Sequence, residues 1–238
     1  MTKPLPKINI AIDGFSSTGK STVAKQLAKA LNYIYVDTGA MYRAVTYFAM
    51  KNGWIDDTNF NKKSLIEHLD EVDLQFKLNP KTGISDMYLN GKNVEKKIRS
   101  MAVSAFVSPV ATLAEVREFL VEQQQAMGKK KGVVMDGRDI GSVVFPDAEL
   151  KVFLTADPKI RAERRLLELE EKGDEVTFEE IYNNVLERDH MDSTREISPL
   201  IKTADAVEVD VTFINKEEQF DTLYKLAMER INKVAKEY

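Results

Sequence analysis

The alternation of apolar and polar positions along the chain predicts short buried strands separated by helices. Runs of four to six mostly apolar residues, typical of buried parallel strands, begin near residues 8, 33, 132, 150 and 206. Between the first two runs, Val23, Leu27 and Leu31 are spaced so that they share one face of a helix. Strands that alternate with helices predict an α/β domain built on a five-stranded parallel sheet.

The ends of several helices are marked by residues with known capping preferences. Asp157 and Pro158 are typical of a helix start, and Gly173 is typical of its end. TFEE at 177–180 has the spacing of a capping box, and Gly53 ends the helix after the second strand. The last helix is marked by apolar positions on one face, namely Phe220, Leu223, Ala227, Ile231 and Val234.

The stretch over residues 61–100 breaks this pattern. The runs VDLQFKLN, SDMYLNG and KNVEKKIRS alternate in polarity and are separated by PKTG and NGK, which are turn sequences of antiparallel strands. We therefore expect a small antiparallel β-rich subdomain, inserted into a core formed by residues 1–60 and 101–238.

GFSSTGKS at 14–21 fits the phosphate-loop pattern G-x-x-x-x-G-K-[ST], between a predicted strand and a predicted helix. Backbone N–H groups of such a loop attract a polyphosphate, and its glycines allow close approach. Lys20 would neutralise the β- and γ-phosphates, and the Ser21 hydroxyl would be a ligand of Mg²⁺. The residues expected to bind the nucleoside triphosphate are Gly14, Phe15, Ser16, Ser17, Thr18, Gly19, Lys20, Ser21 and Thr22.

Arginine is concentrated in one part of the chain. Six arginines lie between residues 138 and 195, where three lysines occur. Arginine grips phosphate through paired hydrogen bonds and stabilises a transferring phosphoryl group. Arg161, Arg164 and Arg165 precede EEKGDE, which we interpret as part of a hinged lid. The alternative is that some of these arginines only pair with glutamates such as Glu168.

One face of the helix predicted after the capping box changes from apolar to charged residues along its length. Ile181 and Val185 are followed, at spacings of three and four, by Arg188, Asp192 and Arg195, so an apolar stripe continues as a charged one. Charged residues that only contact solvent would lie on the opposite face. We therefore expect the helix to pack through its first turns and to present the three charged residues to a cleft.

Charged residues also follow two predicted strands. DGRD at 136–139 comes after the third strand, at the strand end where open α/β sheets bind ligands, and Asp136 would hold Mg²⁺ directly or through water. Asp37, Thr38 and Arg43 follow the second strand. The first two have an alternative role as helix caps, but the helix dipole disfavours Arg43 in the opening turns unless an anion is nearby.

Composition limits the partners and the location. The 238-residue chain carries 34 Lys and Arg against 38 Asp and Glu, so no nucleic-acid-binding or membrane-binding surface is expected. It has no cysteine and two histidines, which excludes cysteine-based metal sites and argues against histidine-based ones. The N-terminal sequence lacks an apolar signal core. We expect a monomeric cytoplasmic protein.

Taken together, these motifs resemble the bacterial cytidylate kinase family. IAIDG…GKST, DTGAMYRA, the β-rich stretch, SPVA…VRE, DGRDIGSVVFPDA, ERDHMDSTR and ADAVEVD occur in that family's order and spacing, nearly from end to end. The resemblance implies a P-loop nucleoside monophosphate kinase fold with a CMP-binding insert and a short lid over about 161–178. It also implies a phosphotransferase of pyrimidine metabolism, which uses ATP and Mg²⁺ to convert CMP and dCMP to CDP and dCDP.

The resemblance further implies roles for individual residues. Ser108, Arg117 and Asp139 would read the cytosine, and Arg188 and Asp192 would hold the ribose. The CMP phosphate would be bound by Arg43, Arg138 and Arg195, with Thr38 in the same substrate site. The catalytic residues would be Lys20, Arg138, Arg161, Arg165 and Arg188. No general base is required, because the acceptor is already a phosphate oxyanion.

Two other functions fit parts of the sequence. One is a phosphate-loop kinase that acts on a small hydroxy acid or sugar acid, which would also need arginines but has less use for the insert. The other is a nucleotide-dependent switch or ATPase that binds a protein partner. That class needs a residue that positions water, and the sequence offers no candidate for it.

Overall fold

The computed structural model describes residues 5–80, 84–171, 173 and 175–237. The first four residues, residues 81–83 of the predicted PKTG turn, and residues 172 and 174 of the predicted lid lie outside the described residues. Within the described residues the strands are β1 (Asn9–Gly14), β2 (Ile34–Asp37), β3 (Leu74–Asn79), β4 (Ile84–Leu89), β5 (Lys92–Asn93), β6 (Val133–Asp136), β7 (Leu150–Thr155) and β8 (Val207–Asp210).

The helices of the described residues are α1 (Lys20–Leu31), α2 (Thr38–Lys51), α3 (Lys62–Glu67), α4 (Met101–Ala111), α5 (Ala114–Gly128), α6 (Pro158–Glu170), α7 (Phe178–Thr194) and α8 (Lys216–Glu237). Short 3-10 helices lie at Leu69–Glu71 and Lys97–Arg99, and a π-helical turn lies at Ile140–Val144. No helix in the described part of the chain is both long and apolar enough to cross a membrane.

The described chain divides into two compact units. The first comprises the described residues up to 35 and from 128 onward, and the second runs from Val36 to Met127. The stretch predicted as an insert, residues 61–100, lies within the second unit.

Among the described residues, the larger sheet has five strands in the order β2-β6-β1-β7-β8. β1 pairs in parallel with both β6 and β7, and β7 pairs in parallel with β8. The predicted parallel α/β sheet is therefore confirmed, and each of its strands lies within one or two residues of the predicted apolar run. β1 is central, so its carboxyl end lies beside that of β6, with Ile12 in register with Asp136.

The core of the first unit explains the apolar runs. All six residues of β1 are buried, as expected for a strand covered on both faces. Val23 and Leu27 of α1 and Leu223, Ala227 and Ile231 of α8 belong to the same buried cluster as the side chains of β1 and β7. The predicted apolar faces of the first and last helices are thus the faces that pack.

The predicted helix caps are also present. The Asp157 carboxylate accepts a hydrogen bond from the backbone N–H of Lys159 at 2.8 Å. At the start of α7, the backbone N–H of Thr177 donates to Glu180 at 2.8 Å, and the Thr177 hydroxyl accepts from the Glu180 backbone N–H at 3.3 Å. Both halves of the capping box are formed.

The second unit contains an antiparallel sheet with three described strands, in the order β3-β4-β5. The sequence prediction was wrong for most of the third run, because β5 has only two residues and the chain then turns into a 3-10 helix. Val94 and Ile98 are both buried, and the Ile98 N–H donates to the Val94 carbonyl at 2.9 Å. A spacing of four residues puts two side chains on one face of a strand as well as of a helical turn, so it is this hydrogen bond, and not the spacing, that identifies the turn.

Candidate active site

The phosphate loop connects β1 to α1 in the first unit. Gly14 has a φ of +142°, and a Cβ at this position would lie 2.0 Å from the Leu154 carbonyl oxygen of β7. No residue with a side chain fits there. The loop therefore starts from a backbone position that is held tightly against the central strands.

Lys20, the first residue of α1, is buried inside this loop. Its Nζ donates to the Phe15 carbonyl and lies 3.4 Å from the Thr18 Oγ1. Burial lowers the pKa of Lys20 well below its usual value, and the nearby Arg138 charge lowers it further. An ammonium in such a site gains much from an anionic ligand.

Ser21 and Asp136, the two predicted Mg²⁺ ligands, are in direct contact. The Ser21 hydroxyl donates to one Asp136 oxygen at 2.7 Å, and the Tyr35 hydroxyl donates to the other at 2.8 Å. A hydroxyl and a carboxylate at the end of the phosphate loop are hard oxygen donors, which suit Mg²⁺ in nucleotide sites. The donor set therefore fits this ion.

The charged end of α7 meets Arg138. Arg138 Nε donates to Asp192 Oδ2 at 2.7 Å, and Arg195 Nη1 lies 3.8 Å from Asp192 Oδ1. Arg188 is close enough to both Lys20 and Asp192 to lower their pKa values. The structure thus gathers the charged stripe of α7 next to the phosphate loop.

The apolar part of α7 packs as the sequence predicts. Ile181 and Val185 are buried in a small cluster with Ala162 and Leu169 of α6. Arg195 lies just past the end of the helix, where its Nε donates to the Ser198 carbonyl at 2.7 Å. α7 is therefore fixed through its first turns and carries its charges on its second half.

The three arginines of α6 differ in their surroundings. Arg161 is only 1% exposed; its guanidinium pairs with both oxygens of Asp189 and lies 5.1 Å from the centre of the Phe15 ring. Arg164 donates to the Val211 carbonyl at 2.7 Å. Arg165 pairs with Glu168 at 2.9 Å on a partly exposed surface, which is a contact that the sequence analysis considered for these arginines.

Two residues at this site were missed by the sequence reasoning. The Gln219 side chain, from the first turn of α8, donates to the Thr18 carbonyl at 3.1 Å. The Asp13 carboxylate, directly before the loop, accepts from the backbone N–H groups of Ile140 and Gly141. Burial raises the pKa of Asp13 to about 6. Both side chains bind backbone atoms more than 100 positions away, so no local pattern reveals them.

The second unit carries the other predicted substrate residues. Thr38 begins α2 and is buried, and Ser108 is half-buried in α4. Arg117 is 2% exposed; its guanidinium lies 5.6 Å from the centre of the Tyr42 ring and donates to the Ala111 carbonyl at 3.1 Å. Thr38 and Arg117 are therefore held by packing.

Asp37 provides an anion beside Arg43. Its carboxylate caps α2 by accepting from the Ala40 N–H at 2.9 Å, and it also accepts from Arg99 at 2.7 Å. Burial raises the pKa of Asp37, but the charges of Arg99 and Arg43 outweigh this effect and hold it below its usual value. The helix-cap interpretation of Asp37 is correct. Arg99 was not predicted as part of this cluster.

A family model for cytidylate kinases matches residues 10–229 of the chain. The chain belongs to the cytidylate kinase family. A protein named cytidylate kinase from Flavobacterium johnsoniae is 60% identical over 222 residues, covering 93% of this chain and 96% of that relative. A relative of the same name from Bacteroides thetaiotaomicron is 54% identical over 233 residues, covering 98% of this chain and 100% of the relative.

Membership of the cytidylate kinase family confirms the resemblance seen in the sequence motifs. It also makes the chain a kinase with the predicted P-loop fold. A nucleotide-dependent switch without phosphotransferase activity is therefore disfavoured.

Proposed function

We propose that this chain transfers the γ-phosphoryl group of ATP to CMP and dCMP, giving CDP or dCDP and ADP, in pyrimidine metabolism. The observation that carries the proposal is the cluster of Lys20, Arg138, Arg188 and Asp192 beside the phosphate loop of a cytidylate kinase family member. We also propose that it acts in the cytoplasm as a monomer.

The phosphate loop would bind ATP through its backbone N–H groups. Lys20 would exchange its contact with the Phe15 carbonyl for the phosphate oxygens, which restores the solvation that burial removes. Arg138 and Arg188 would stabilise the charge on the transferring phosphoryl group, with Arg161 and Arg165 as further candidates.

Mg²⁺ would be held by Ser21 and Asp136, and when bound it would neutralise charge on the phosphates. Tyr35 donates to Asp136 and so fixes the direction of this carboxylate.

The residues that we propose to bind the monophosphate are Thr38, Arg43, Ser108, Arg117, Arg138, Asp139, Arg188, Asp192 and Arg195. Arginines suit the phosphate, since they grip it with paired hydrogen bonds. An acid, a hydroxyl and an arginine complement the amino donor and the ring acceptors of cytosine.

A coupled assay with ATP, Mg²⁺ and a panel of acceptors tests the proposal. The panel contains CMP, dCMP, UMP, AMP and small hydroxy acids. We expect the highest kcat/KM with CMP or dCMP. Preferential phosphorylation of a hydroxy acid, or hydrolysis of ATP at the same rate without an acceptor, would contradict the proposal.

Lys20→Ala supplies the matching negative control. We expect its kcat to fall by about a hundredfold or more, because the variant removes a charge aimed at the phosphates. Lys29→Ala, an exposed lysine in the last turn of the same helix, should keep normal activity. Near-normal turnover by Lys20→Ala would overturn the role given to the phosphate loop.

A further inference from the structure

We infer that Asp13 is a positioning residue that holds the backbone turn carrying Arg138 and Asp139, and thereby controls the binding of CMP more than that of ATP. The inference rests on the proposed function. It concerns a side chain that would touch neither substrate.

Asp13 bonds to the turn through both of its carboxylate oxygens. It is 6% exposed, next to last in β1, and its Oδ1 accepts from the Ile140 N–H at 2.8 Å. Its Oδ2 accepts from the Gly141 N–H at 2.7 Å. These N–H groups open the π-helical turn directly after Asp139. The first N–H groups of a helix have no partner within it, and leaving them buried and unbonded is costly.

The turn also fits closely around this carboxylate. A Cβ on Gly141 would lie 3.3 Å from Asp13 Oδ2 and 3.2 Å from Cδ of Lys151. The Lys151 ammonium pairs with Asp205 at 2.8 Å, and this contact restrains its side chain. Asp13 and Lys151 together define where the turn lies.

The Asp13 carboxylate lies between groups of both charges. Burial raises the pKa of this carboxyl, Asp139 raises it further, and the two backbone hydrogen bonds and Lys20 lower it. The carboxylate supplies the acceptor that these two buried backbone donors need.

The phosphate loop has anchors that do not depend on the Asp13 side chain. β1 is hydrogen-bonded to β6 and β7 along its length, and Gly14 is fixed against Leu154. The strand ladder reaches Asp136, and the Gly137 N–H donates to the Ile12 carbonyl at 3.0 Å. Beyond this point, the backbone that follows Arg138 and Asp139 is bonded to Asp13. Loss of one acceptor should therefore shift these two residues and leave the phosphate loop in place.

Asp13→Asn is the first test, since the amide keeps the shape but offers only one acceptor oxygen. We expect KM for CMP to rise about tenfold, as for loss of a hydrogen bond to a charged group, with the Kd for ATP within about twofold of wild type. Glu149→Gln is the matched control, because Glu149 accepts from the Asn9 N–H at 2.9 Å at the other end of the same strand. It should change neither constant, and circular dichroism would show that each variant folds.

Gly141→Ala tests the same contact from the other side and keeps the carboxylate. Its added methyl group would crowd Asp13 Oδ2 and the Lys151 side chain, so the carboxylate and the turn must separate by a few tenths of an ångström unless Lys151 and Asp13 yield. We expect KM for CMP to rise selectively here too, and this variant decides the matter if Asp13→Asn does not fold. An unchanged KM for CMP, or equal weakening of CMP and ATP, in a folded variant of an active enzyme would overturn the inference alone. A wild-type protein that does not phosphorylate CMP would overturn the proposed function, and the inference with it.

Discussion

At the scale of single residues, the pKa values of two carboxylates at this site are shifted in opposite directions because their neighbours differ. Burial raises the pKa of Asp192, but the charge and hydrogen bond of Arg138 outweigh it, so this pKa lies below its usual value. At Asp13, burial outweighs the two backbone hydrogen bonds and the Lys20 charge, so its pKa is raised to about 6. Asp192 is therefore ionised at neutral pH and can accept from a guanidinium and from a sugar hydroxyl.

Asp192→Asn tests the proposed contact with the sugar. The variant keeps an oxygen for Arg138 but removes the charge, so the 2′-hydroxyl of CMP loses a strong acceptor that dCMP never used. We expect kcat/KM to fall about fivefold to tenfold more for CMP than for dCMP. Equal losses would show that Asp192 acts only by placing Arg138.

Asp139→Asn tests the choice of base. A buried carboxylate only accepts hydrogen bonds, which suits the amino group of cytosine and opposes the carbonyl that UMP presents there. The amide can also donate, so we expect the ratio of kcat/KM for CMP to that for UMP to fall by about tenfold or more, mainly through weaker use of CMP. An unchanged ratio would move base selection to Ser108 and Arg117.

Some residue contacts follow from the sequence and others do not. Ser21 comes from the phosphate-loop motif and Asp136 from its place at the end of a strand. Because the loop follows the carboxyl end of β1 and Asp136 ends the neighbouring strand β6, their contact is predictable. The contacts of Asp13 with Ile140 and Gly141 depend on how a turn is placed in three dimensions. A sequence does not show which backbone N–H groups will need a side-chain acceptor, so nothing in it distinguishes Asp13 from other acidic residues.

At the scale of elements, α7 has a first half that packs against α6 and a second half that carries charged residues of the candidate site. Its first turns are fixed by Ile181 and Val185 against α6, and its later turns carry Arg188 and Asp192. The position of Arg188 and Asp192 therefore depends on how firmly the first turns of α7 are held in place.

Thr177→Ala removes the cap of α7. Loss of the hydroxyl that accepts from the Glu180 N–H should cost about 1 kcal/mol of stability, which lowers Tm by roughly 2–4 °C in a protein of this size. Calorimetry would measure it. Thr194→Ala is the control at the other end of the helix, where an exposed hydroxyl only donates back to the His190 carbonyl. Equal shifts in the two variants would show that the capping box does not matter.

The elements that the sequence predicts best are marked by an apolar run, by helical periodicity or by capping residues at their ends. The helix ends at Asp157 and at Thr177 were predictable because capping is local chemistry. α4 and α5 were not assigned, and β5 was predicted too long. The buried pair Val94 and Ile98 in that run fits one face of a strand as well as of a helical turn, so periodicity over so short a segment does not distinguish the two.

At the scale of the whole molecule, function depends on local charge within a weakly acidic protein. The net charge is −4, yet Lys20, Arg138 and Arg188 are close enough for the arginine charges to lower the lysine pKa. Composition therefore predicts the absence of a broad basic surface but says little about this cluster. The cluster is predicted instead from the phosphate-loop motif and from the position of residues after strands, because a parallel sheet brings the ends of distant strands together.

The stability of the whole fold should carry a pH signature of Asp13. The unfolded chain releases this proton near the ordinary pKa of 3.8, whereas the folded chain keeps it until about pH 6. Between these values the folded state binds more protons, so this group lowers the free energy of unfolding as pH rises, and above about pH 6 its contribution is level. Asp13→Asn removes the titration. The free energy of unfolding would be measured with urea from pH 4 to 8. The value for the variant relative to wild type should rise up to about pH 6 and then stay constant. Glu149→Gln is the control for the general effect of losing a carboxylate. A difference that does not vary with pH would contradict a raised pKa at Asp13.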